Sequence, residues 1–174
     1  GQKDVNQEIA PNDFAYAGSQ WEDIVTVDVT GTTLKVTLTN AANQFVIADA
    51  VRIESVGVVT TPPVTTPPVT TPPVTTPPVV QIIDNGETGH ASNGFVIFGA
   101  GHKSDLAYTA AGSGSSVSTW TFNVTPGRYK VSSTWVAHAN RATDAPYTVY
   151  DGSAIVGQKD VNQEIAPNDF AYAG

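Results

Sequence analysis

Asp49 is the residue with the most chemical potential in this chain. It sits in the run FVIADAVRIE, Phe45–Glu54, which reads as one strand. Phe45, Ile47, Val51 and Ile53 share a face with it. A carboxylate on an apolar face must be paired, protonated or bound to a metal. Asp84, Asn85 and Glu87 supply oxygens elsewhere in the chain. Calcium, which takes six to eight oxygens, is therefore one reading for Asp49 with Asp84. An internal ion pair, with Arg141 for example, is another, as are hydrogen bonds from turn N–H groups. A bulge would instead turn Asp49 outward.

The remaining reactive types fall into no catalytic pattern. His90, His102 and His138 have no zinc-ligand spacing. They read as solvated loop residues. Ser104 lies beside His102 and Asp105, but there is no G-x-S-x-G elbow. Gly112-Ser113-Gly114 is too short to cradle phosphate. Asn123-Val124-Thr125 is a formal N-glycosylation sequon. Trp21, Trp120, Trp135, Tyr147 and Tyr150 have faces suited to stacking on sugars. Trp120 and Trp135 lie in alternating apolar runs and read as core. Trp21 follows a Gly-Ser-Gln turn and reads as partly exposed. Trp21, Arg141 and Tyr147 are the candidate sugar contacts, although Arg141 also suits organising its own loop. The expectation is a protein that is not an enzyme and carries no cofactor, structural calcium apart.

These residues must be positioned by strands. Val25, Val27 and Val29 alternate with Thr26, Asp28 and Thr30, and Leu34, Val36 and Leu38 with Lys35, Thr37 and Thr39. Gly31-Thr32 between them reads as a hairpin turn. Trp120, Phe122 and Val124 alternate, as do Tyr129, Val131, Ser133 and Trp135. Asp151-Gly152 is a strong hairpin signal. Thr, Val, Ala, Gly and Asn dominate the composition, which favours strands and turns. No amphipathic helix of useful length is evident.

The 174 residues carry a formal charge of −8, with 8 Lys+Arg and no cysteine or methionine. No basic cluster offers a nucleic-acid footprint. No apolar run is long enough to span a membrane. Disulfides and thiol chemistry are excluded.

Two features govern the organisation. Gly1–Gly18, GQKDVNQEIAPNDFAYAG, recurs without change as Gly157–Gly174. Such identity marks a tandem array. Thr60–Val79 is four copies of Thr-Thr-Pro-Pro-Val. Proline excludes this run from helix and sheet interiors, so it reads as a polyproline-II spacer. At about 3.1 Å per residue it would reach roughly 62 Å. Its threonines suit O-linked sugars. The chain thus divides into 1–56, the C-terminal half of one repeat; 57–80, the linker; and 81–174, the N-terminal part of the next. Overlaying the duplicates yields one unit, Gln81–Gly174 followed by Ser19–Val56. The expected fold is all-β: a jelly-roll-like antiparallel β-sandwich with a polyproline-II linker.

That reassembled unit resembles the golvesin C-terminal/xanthan-lyase-type domain. The blocks that carry the resemblance are Ile82–Gly86, Ser118–Trp135, Asn140–Gly152 and Asn43–Glu54. The resemblance implies a carbohydrate-binding-like β-sandwich, a fold that often holds calcium between its first and last strands. Either half alone exposes an apolar face and unpaired edges. Three ways of completing it are open: the chain closes on itself, each half joins a neighbouring repeat, or subunits exchange halves. The expected role is a structural repeat of an extracellular or cell-surface fibre, with its own copies as head-to-tail partners. The alternative is a carbohydrate-binding module arrayed for avidity on a polysaccharide.

Overall fold

The computed structural model describes residues 19–57 and 78–169. The first copy of the duplicated segment, the Thr/Pro spacer except its last two residues, and the last residues of the second copy lie outside them. The first half supplies β1 (Glu22–Val29), β2 (Thr33–Thr39), β3 (Val46–Ala48) and β4 (Val51–Gly57). The second supplies β5 (Val80–Ile83), β6 (His90–Asn93), β7 (Val96–Phe98) and β8 (Leu106–Thr109). It continues with β9 (Val117–Asn123), β10 (Gly127–Ser133), β11 (Ala145–Asp151) and β12 (Ala154–Val161). A single 3-10 turn, His102–Ser104, is the sole helical element among the described residues.

The strands form an all-β sandwich of antiparallel sheets. One sheet has the order β1-β10-β4-β5, the other β12-β11-β2-β9-β6. A small third sheet runs β3-β8-β7. Both large sheets interleave strands from the two sides of the spacer. β2 lies between β9 and β11, and β4 between β10 and β5. Neither half holds a complete sheet, and a single copy closes on itself. The self-closing arrangement is therefore accessible to one chain.

Period-two alternation places the core as the sequence implies. Leu34, Val36 and Leu38 of β2 and Trp120 and Phe122 of β9 are buried, and meet Val27, Val131 and Ile53 of the facing sheet in one cluster. On β1 a register shift between Asp23 and Val25 brings Ile24 inward and leaves Val25 half-buried. Val25, Val27 and Val29 keep the shared face expected of them, opposite Val131, Tyr129 and Gly127, and the extra residue at the bulge, Ile24, is buried as well.

The expected β1–β2 hairpin is corrected. β1 pairs with β10 and β2 with β9 and β11, so Thr30–Thr32 is a corner between sheets. A carboxylate from the other half holds the corner. Asp151 Oδ2 accepts from Thr30 N at 2.8 Å and Thr30 Oγ1 at 2.7 Å, and its Oδ1 from Gly31 N at 3.1 Å. These donors, the Thr30 amide first, hold the Asp151 carboxyl below its usual range. A Cβ on Gly31 would stand 2.6 Å from Asp151 Oδ1.

Candidate functional site

The run Phe45–Glu54 is not one strand. It breaks at Asp49-Ala50, between β3 and β4. Asp49 is buried there, so it is not turned outward. The loop between β7 and β8 supplies its partner: the His102 N–H donates to both carboxylate oxygens, at 3.1 Å each. Gly101 makes room, since a Cβ on it would lie 2.6 Å from Asp49 Oδ2. Lys103 and Ser104, with φ of 49° and 75°, adopt the left-handed conformation that non-glycine residues avoid. Strain of this kind concentrates where a loop is held by its surroundings.

Burial is the chief cause that lifts the Asp49 carboxyl to about 8. The His102 amide opposes it, and the charges of Asp84 and Asp105 add to it. Asp84 is itself buried and rises to about 6, again mainly through desolvation, with its own Asn85 amide opposing. The second reactive group at this seam is thus a second carboxyl. Lys103 forms an ion pair with Glu87 at its exposed rim. Arg141 is elsewhere, donating to Asn140 Oδ1 at 2.8 Å and toward the Val136 carbonyl within its own loop. Of the partners considered for Asp49, the turn N–H is the one found. Among the described residues no three His, Asp or Glu side chains are grouped to share a metal ion. The side-chain oxygen and nitrogen of Asn85 are buried without hydrogen-bond partners beside Asp84.

Two of the three candidate sugar contacts are corrected. Trp21 is fully buried, edge-on to the His102 ring at 5.6 Å between centroids. Tyr147 is buried as well, its hydroxyl 3.0 Å from Ser133 Oγ. Neither presents a face to a ligand. The turn before Trp21 suggested exposure, but the β7–β8 loop folds over it, a long-range contact with no local signal. That packing also buries His102, with Ser19 Oγ 2.9 Å from its Nδ1, and burial holds this imidazole below its usual range. The expectation of a solvated histidine fails there. It fails at His90 too, which is half-buried. Its Nδ1 accepts from Gly86 N at 2.8 Å, which leaves Nε2 to donate to Ser118 Oγ at 2.8 Å.

The described residues of the second copy of the duplicated segment, 157–169, occupy a groove between the sheets. Its first residues form β12 on β11. Gln163 is fully buried, accepting from Ile47 N and donating to Ile47 O, each at 2.8 Å. The Gln163 backbone N–H donates to the Ala142 carbonyl at 2.8 Å, and Trp135 Nε1 to the Ile165 carbonyl at 2.8 Å. A side-chain amide here does the work of one more strand alongside β3. Sequence patterning gives no hint of it, because a lone glutamine in a polar run reads as exposed. A cavity of about 190 Å³ lies between Glu22 and Trp135 on one side and residues 159–168 on the other.

The motif blocks come together in the fold. Asn43 N donates to Asp144 Oδ1 at 2.8 Å, and Ala142 N to the Phe45 carbonyl at 2.8 Å. Residues Asn43–Glu54 and Asn140–Gly152 are therefore structural neighbours across the spacer. Residues 97–172 match the golvesin C-terminal domain. The resemblance drawn from the motif blocks is borne out over that run. The golvesin-type match extends from β7 through β12 into the duplicated segment. Strands β1 to β4, which complete the sheets of the matched run, lie outside it on its N-terminal side. Golvesin-family domains are typically extracellular β-domains. No curated protein and no solved structure matches the chain. No helix among the described residues is long and apolar enough to cross a membrane.

Proposed function

We propose that this chain is a non-catalytic structural repeat of an extracellular or cell-surface fibre, its β-sandwiches completed between repeats or subunits. The observation that carries the reading is the interleaved strand order. Since each half contributes inner strands to both large sheets, a half without its complement is an open interface. Any second copy offers the same complement.

The spacer favours completion by a neighbour. Its last residue meets the end of β4 in the closed chain: Ser55 N donates to the Val79 carbonyl at 2.9 Å, and Val79 N to Ser55 Oγ at 2.8 Å. From its sequence alone, a run of Thr-Thr-Pro-Pro-Val repeats, with φ fixed at each proline, is expected to resist bringing its ends together. Joining two separate sandwiches asks nothing of the kind.

The expected result is concentration-dependent assembly of the full chain, seen by sedimentation velocity and electron microscopy. A Gly/Ser run of equal length in place of 58–77 should shift the population toward closed monomer. Monomer at every concentration for both chains would overturn the fibre reading.

A second reading, an arrayed carbohydrate-binding module, draws on one surface feature. Phe45, just before β3, Tyr108 of β8 and Phe98 of β7 form a row, with Phe98 55% exposed. The rings meet at 67° and 84°, edge to face, so they make no flat stacking platform. Retention on a polysaccharide column that disappears in Phe98→Ala would favour this reading. Retention unchanged by that substitution would remove its support.

A further inference from the structure

One groove and two identical segments to fill it make a competition. The β11–β12 ladder is interrupted once: Val149 pairs with Gly157 and Tyr150 with Ile155, leaving Val156 as a bulge. Gly157 is the first duplicated residue. On the hairpin side of the bulge the strand is unique to the second half. Beyond it, every residue is also present in Gly1–Gly18.

The groove reads that shared sequence in detail. Gly157 lies against β1, where a Cβ would come 2.8 Å from Val25 Cγ1. Lys159 Nζ donates to Glu22 Oε1 at 3.1 Å. Gln163 makes its buried pair of bonds to Ile47. The corresponding residues of the first copy are Gly1, Lys3 and Gln7, so each of these contacts is available to it unchanged.

The tethers are arranged for exchange. The second copy enters from the β11–β12 hairpin. Its last described residue, Asp169, lies at the start of β1, where Asp23 N donates to Asp169 Oδ2 at 3.0 Å. Gly1–Gly18 is joined to that same place through Ser19. We infer that the groove is a docking site for either copy, and that Gly1–Gly18 of the same chain exchanges with Gly157–Gly174. It enters from its Ser19 end while the other copy peels back to the Val156 bulge. The ladder is already broken at that boundary, so the exchange replaces each bond with an equivalent one. The inference is independent of fibre assembly.

The absence of cysteine permits a direct test in the full chain. Thr148 and Gln158 are cross-strand partners with side chains 3.3 Å apart. Thr148→Cys with Gln158→Cys should form a disulfide within one chain. Thr148→Cys with Gln2→Cys should also form one within a chain, which places the first copy in the groove. If only the first pair closes, the inference is overturned. If the second pair closes solely between chains, it is overturned in favour of a second copy as occupant.

Stability provides the other readout. Gln163→Leu or Gln7→Leu alone should leave Tm near that of the wild type, because the intact copy takes the groove. Together they should lower Tm by about 5–10 °C, the effect of losing buried hydrogen bonds in a domain of this size. A full drop with Gln163→Leu alone would also overturn it. Neither readout depends on polymers, so loss of the fibre reading would leave this one standing.

Discussion

Trp120→Ala is expected to destabilise the domain by about 3–5 kcal/mol, among the largest effects of any single substitution in this chain. Trp120 is fully buried on β9, in the second half of the chain. Its cross-strand partner on one side is Val36 of β2, in the first half; on the other it is His90 of β6, with ring centroids 5.4 Å apart. Truncation removes the transfer energy of an indole and opens a cavity that flanking β-branched residues fill poorly. Because the lost contacts include both halves, the effect should appear in one cooperative transition rather than two. Trp120→Phe offers the control. The indole N–H is buried without a hydrogen-bond partner, so Phe discards an uncompensated donor along with some volume. Its cost should be well below that of Ala. Denaturant unfolding of the three proteins checks this. Equal losses for Ala and Phe, or a Trp120→Ala loss under about 1 kcal/mol, would contradict a shared core.

The second large effect is a pH dependence centred on Asp49. Its carboxyl is lifted from 3.8 to about 8 in the folded chain. Between those values the folded state holds a proton that the unfolded state has released. Stability therefore falls as pH rises from about 4 to about 8 and levels off above. The slope from this group is at most about 1.4 kcal/mol per pH unit. Asp84, raised to about 6, adds a loss of the same sign that is complete at lower pH. Asp49→Asn keeps an oxygen for the His102 amide and removes the ionisation. Its Tm at pH 8 should exceed that of the wild type, and the gap should shrink toward pH 5. A gap independent of pH would show that ionisation of Asp49 is not the cause. The same variant tests the calcium expectation. If Asp49 and Asp84 hold calcium, added calcium at pH 8 raises Tm in the wild type and not in Asp49→Asn. No calcium response in either would remove that reading.

Much of the fold was legible locally because strand periodicity is a property of neighbouring residues. The alternating runs of β2, β9 and β10 appear in the sequence as they do in the core, and the Asp151-Gly152 turn marks the β11–β12 hairpin. Pairing was less legible. The turn after β1 has hairpin chemistry, yet the chain crosses there to the other sheet because Asp151, from a distant strand, holds the corner. The candidate site was legible at one point. The burial of Asp49 followed from its apolar neighbours, whereas its amide partner at His102 required the β7–β8 loop to arrive from elsewhere.

Asp49 thus divides what each level determines. The sequence by itself determined the strand content, the spacer, the duplication, and that a carboxylate near Ile47 and Val51 needed an answer. Those follow from residue type and short-range spacing. The tertiary structure alone decided that the answer is a backbone N–H, that Trp21 and Tyr147 are core, and that Gln163 closes the sheet beside β3. Such outcomes depend on which distant segments meet, and burial and hydrogen bonding across more than a hundred residues leave no local periodicity to read.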